Sequence, residues 1–135
     1  MNPLLTAIYG KTSGSTLSSD VGGRIFLDSA PDGCEFPYIV FFIVSNVPDW
    51  EFVERFEDTL VQFSLFSSSS SAVEITAMYS DLKALFDDCS MAITGDTLIW
   101  FRRQNLVTMV DEITVADGTQ TVKVWHVDYE VKVQS

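Results

Sequence analysis

The stretch FPYIVFFIVSNVPDW, Phe36–Trp50, decides how this chain folds. From Tyr38 to Val44 every residue is apolar, whereas a half-buried antiparallel strand alternates apolar and polar side chains. A strand that is apolar on both faces must be covered twice, because such a run left open is an aggregation hazard. Pro48 has no N–H to give to a sheet ladder, so the strand is expected to end there.

Upstream of this strand, RIFLD (24–28) reads as a short strand, followed by the turn signal Pro31-Asp32-Gly33. The Gly-, Ser- and Thr-rich stretch 11–23 reads as a flexible loop, and residues 3–9 as a short helix. Downstream, Val61, Phe63 and Leu65 alternate with Gln62 and Ser64, the pattern of a half-buried strand over Thr59–Phe66. A serine run then ends in Ser71-Ala72-Val73-Glu74, a capping box in which Ser caps the helix start and Glu reaches back. Ile75, Met78, Tyr79, Leu82, Phe86 and Cys89 recur at helical spacing and predict one long helix over Ala72–Cys89.

Two strand-like runs, 97–103 and 106–114, are separated by Gln104 and Asn105, and Asp117-Gly118 supplies a hairpin turn. In the last strand Trp125, Val127, Tyr129, Val131 and Val133 share one face, and His126, Asp128, Glu130 and Lys132 the other. Strands gathered around one helix predict an α+β fold in a single domain, 1–135. The sheet is mostly antiparallel, with the long amphipathic helix on one face and a short N-terminal helix. One helix covers one face, so the second face of the apolar strand is left to the N-terminal segment or to a neighbouring molecule.

At 47% hydrophobic and 13% aromatic residues, the composition excludes general disorder. Eight Lys and Arg against 19 Asp and Glu give a net charge of −11, which repels nucleic-acid backbone and anionic membrane alike. The start, MNPLLTAIYGKT, lacks the charged and apolar regions of a secretion signal, and the longest apolar run is too short to cross a bilayer. The expected compartment is therefore a cytoplasm. Cys34 and Cys89 have no Cys or His neighbours at metal-ligand spacing, and read as reduced thiols, with one long-range disulfide as the alternative.

Chemistry-bearing patterns are sparse. GKTS (10–13) resembles the end of a phosphate loop, but Leu5 stands where that loop needs Gly. His126, Asp128 and Glu130 point the same way from one strand and could hold a metal or move a proton; the plainer reading is the polar face of an edge strand. Arg102 and Arg103 beside Trp100 and Phe101 could stack on bases, yet two cations weigh little in so acidic a chain. No catalytic, cofactor-binding or metal residues are expected, and the chain is expected not to be an enzyme.

GRIFLDSAPDGCEFPYIVFFIVS (22–45) has a short R-I-F strand, an A-P-x-G turn and a P-Y-I-V opening of an apolar strand. Then come the DTLVQFSLFS strand (58–67), a Ser-rich link, a helix with D-L-x-x-L-F and a final strand of alternating valines. This order resembles the small phage tail-completion, or tail-to-head joining (tail terminator), proteins. The resemblance implies a structural virion protein that caps the tail tube as a ring, commonly of six copies. Its partners would be itself, a tail tube protein and the head connector or stopper, at the head-proximal end of the tail, after assembly in the host bacterial cytoplasm.

DNA would pass an acid-lined channel without specific binding. Interface residues expected on this reading are Tyr38, Val40, Phe42, Trp50, Phe52, Phe56 and Trp100. The alternative is an acidic protein-binding module that occupies a DNA-binding protein by imitating phosphate charge, which requires carboxylates along one exposed face.

Overall fold

A computed structural model describes residues 2–51, 54–115 and 118–135. Three helices, α1 (Asn2–Thr12), α2 (Thr16–Asp20) and α3 (Val73–Phe86), accompany five strands. These are β1 (Ile25–Leu27), β2 (Tyr38–Glu51), β3 (Glu54–Ser67), β4 (Thr97–Val115) and β5 (Gly118–Gln134), ordered β1-β2-β3-β5-β4 across one sheet. Only β1 and β2 run parallel; every other pair is antiparallel. The fold is thus α+β with a mostly antiparallel sheet.

All three helices cover the same face. Leu4 and Ile8 of α1, Leu17 of α2, and Ile75, Met78, Leu82 and Phe86 of α3 pack with Ile39, Phe41, Val61, Phe63, Leu65, Val127, Tyr129 and Val131. Phe63 sits at the centre, with the rings of Phe86, Tyr129 and Phe41 at 4.8, 5.7 and 5.8 Å. The N-terminal segment therefore shares the helical face with α3 and leaves the second face of β2 to other cover.

Several boundaries differ from the sequence reading, each for a local reason. The stretch 11–23 holds the end of α1 and the whole of α2, because Leu17 and Val21 are buried and Ser15 caps α2 through the amide of Ser18. β2 passes through Pro48, whose missing N–H costs nothing there: β1 pairs only with Ile39, Val40 and Phe41, so Pro48 lies where β2 has no second neighbour. At Ser71 the hydroxyl accepts from the Val73 amide, while Glu74 takes the Ser67 hydroxyl at 2.6 Å instead of closing a capping box.

Gln104 and Asn105 do not split the C-terminal run. Register shifts between Leu98 and Trp100 and between Arg103 and Asn105 absorb the irregularity within one continuous β4. Val115 pairs with Gly118, and the expected turn residue Asp117 lies outside the described residues. The Pro31-Asp32-Gly33 turn forms, with the Cys34 amide donating to the Pro31 carbonyl and Gly33 at φ +74°.

β5 is an inner strand between β3 and β4 rather than an edge. Both cysteines are free thiols. Among the described residues no helix is long and apolar enough to cross a membrane.

Candidate interaction surface

Alternation along β2 sends Ile39 and Phe41 into the helical core and Tyr38, Val40 and Phe42 to the other face. Tyr38 is stacked on Phe66 of β3, its register partner, at 4.5 Å between ring centres; Phe36 and Phe26 close around it at 5.3 and 6.5 Å. The connection from β1 to β2 rises over this face, and between it and the sheet runs a groove of about 700 Å³. Tyr38, Val40, Phe42 and Phe66 lie along it, with Pro31, Phe36 and Cys34 from the connection and Gln120 from β5. Burial raises the Tyr38 phenol above its usual value, with a smaller contribution from Cys34.

The apolar cover of β2 ends at the register shift between Ile43 and Ser45, and Val44 and Val47 are exposed. Beyond it lies a second group. Lys132, on β5, bonds Asp49 at 3.1 Å, with its ammonium 5.0 Å from the Phe56 ring centre and 4.9 Å from that of Trp100. Arg102 covers Trp100 at 4.1 Å. Trp50 is 66% exposed, with the Arg55 guanidinium 5.2 Å from its ring centre. Trp and Arg are the residue types that anchor protein interfaces.

The expected interface residues thus fall in two places: Tyr38, Val40 and Phe42 on the groove, and Trp50, Phe56 and Trp100 at the far end of the sheet. Phe52 lies outside the described residues. Sequence reasoning missed Phe66, although its parity with Gln62 and Ser64 puts it on the supposedly polar face. Also missed was the reach of β4 and β5 beyond the end of β3. Ser67 pairs with Lys123, so, among the described residues, 118–122 and their β4 partners have no third strand; nearer the body of the sheet, on the edge strand β4, Val107, Met109 and Val110 are exposed.

His126, Asp128 and Glu130 share one face, but each takes a separate partner. Ser64 Oγ lies 2.8 Å from His126 Nδ1, Gln62 donates to Asp128 at 2.8 Å, and Gln104 donates to Glu130 at 2.9 Å. A Ser–His pair needs an orienting carboxylate to act as a nucleophile, and Asp128 is engaged by Gln62 instead. Among the described residues no group of three or more His, Cys, Asp or Glu could hold a metal ion. Gly10–Thr12 belongs to α1, where the Thr12 hydroxyl donates to the Tyr9 carbonyl.

No family model and no curated protein matches this sequence. Among solved structures, a chain of one described as "Virion of native gene transfer agent (GTA) particle" is similar, with a TM-score of 0.79 at 12% sequence identity. The match covers 98% of this chain and 95% of that one, and at that identity the two chains share a fold.

Proposed function

We propose that this chain is a non-enzymatic structural protein of a phage-like virion, a ring-forming subunit that completes the tail tube and joins it to the head connector. The observation that carries this reading is the fold shared over nearly the full length of both chains with a component of a virion particle. The sequence resemblance to tail-completion proteins points the same way. So does the sheet, which keeps large apolar and Trp–Arg groups at its surface on opposite sides of the register shift in β2.

The Trp50–Arg55 end of the sheet and the exposed Val107, Met109 and Val110 of the edge strand β4 are two different patches on one subunit and suit a heterologous contact, which closes by rotation into a ring. A net charge of −11 suits a channel wall along which DNA slides without adhering.

The test is native mass spectrometry over a concentration series at low and moderate salt. A discrete closed ring, six copies foremost, is the expected result. A monomer at every concentration overturns the ring.

A further inference from the structure

We propose that the groove between the residue 28–36 connection and the outer sheet face receives an extended basic segment of another protein, one in which Lys or Arg alternates with bulky apolar residues. The floor is aromatic and aliphatic, formed by Tyr38, Val40, Phe42 and Phe66, and at about 700 Å³ the groove has the size of a ligand site. Among the described residues Asp28 and Asp32 are its only charged lining residues, and both are exposed. Arg24, outside the lining, donates to the Pro37 and Phe36 carbonyls and lies 3.9 Å from the Glu35 carboxylate. A cationic side chain entering the groove would meet two carboxylates and aromatic ring faces, and its apolar neighbours would cover Val40 and Phe42.

Charge also selects against the other occupants. A second copy carries the same excess of carboxylates, and its protruding hairpin presents Asp111 and Glu112 beside Val110. Placing like charges together costs binding energy. Nucleic acid is disfavoured for the same reason. That the segment belongs to a virion partner rests on the function proposed above; the chemistry of the groove does not.

The probe is a fluorescein-labelled octapeptide alternating Lys with Leu and Phe, titrated with the full chain at about 150 mM salt, an ionic strength that screens distant charges. The wild-type protein is expected to bind it, and the same peptide with Glu for Lys is not. The double variant D28N/D32K should weaken binding at least tenfold. The control D111N/E112K, which makes the same charge change on the protruding hairpin, should stay within twofold. Phe42→Ser should also weaken binding at least tenfold, which a purely electrostatic attraction does not explain.

Absence of binding by the wild type, equal loss in both charge variants, or equal binding of the Glu peptide would overturn the proposal. Native mass spectra of D28N/D32K separate it from the ring. An unchanged oligomer with lost peptide binding is expected, whereas loss of the oligomer makes the groove a contact between copies and rules out the basic segment.

Discussion

The phenol of Tyr129, in the middle of β5, donates a 2.6 Å hydrogen bond to Oδ1 of Asp87, the residue that ends α3. Asp87 also receives Nε of Arg103 at 3.2 Å, and Nη1 of Arg103 donates to the Tyr79 hydroxyl at 2.8 Å. One carboxylate therefore ties the helix end to both strands of the C-terminal hairpin. Burial, then the hydrogen bond to Asp87 and its charge, push the Tyr129 phenol well above its usual value.

Tyr129→Phe keeps the ring and removes the donor beside a charged acceptor. A loss of about 1.5–3 kcal/mol is expected, the range for hydrogen bonds to charged groups, measured by urea denaturation at pH 7. Because the folded value is raised, this contribution is present below the usual tyrosine value of about 10 and is lost as pH rises above it. The wild type should converge on the variant in that alkaline window. Parallel stability curves would show that the phenol is not the group responsible.

Asp20, at the end of α2, has its carboxyl raised to about 6 by burial, then by the hydrogen bond to Asp81 on α3 and the charge of that group. The folded state prefers the proton, so its contribution is fully present below about pH 4 and declines as pH rises toward 6. Asp20→Asn keeps a donor for Asp81 and cannot ionise. Its melting temperature should exceed that of the wild type at pH 7.5 and approach it at pH 4. A constant difference across that range would contradict the assignment.

Phe63→Ala empties the centre of the aromatic cluster and should cost about 3–5 kcal/mol, as buried Phe truncations do. Against a total of roughly 5–15 kcal/mol for a domain, this leaves a barely folded protein. Thermal unfolding read by near-ultraviolet circular dichroism checks it. A loss below about 1 kcal/mol would mean that the helices and sheet collapse into the space.

Trp50→Ala tests the far end of the sheet as an assembly surface. The ring is mostly exposed and touches Arg55, so unfolding should change by no more than about 0.5 kcal/mol, the scale of surface substitutions. The ring population in native mass spectra should fall at least tenfold at fixed concentration. Full assembly with unchanged stability would remove Trp50 from the interface.

The fold was legible where one strong signal stood alone. The 3.6-residue spacing of Ile75, Met78, Leu82 and Phe86 located α3, and the strict alternation from Trp125 to Val133 assigned the two faces of β5. Reading failed where a residue's role depends on its neighbours. Pro48 looks like a strand terminator until β1 is seen to stop short of it, and the serine-rich start hides Leu17 and Val21, which become core only once α3 lies against them.

The surface was legible in part. Tyr38, Val40 and Phe42 were visible as a second apolar face, but Phe66 is brought to them by the register of β3. Long-range pairing of that kind has no local sequence mark.

The chain order of the strands has a consequence during synthesis. The strand that joins the two halves of the sheet, β5, is made after α3 and β4. Until it leaves the ribosome, β3 has an unpaired edge carrying Phe63 and Leu65, and the β2–β3 hairpin cannot close its core. β4 and β5 are adjacent in sequence and need only a short loop to pair, whereas β3 and β5 close a long one, which is slow. The growing chain is therefore most exposed to misassociation between the synthesis of β4 and that of β5, and a truncation that removes β5 would hold it in that state.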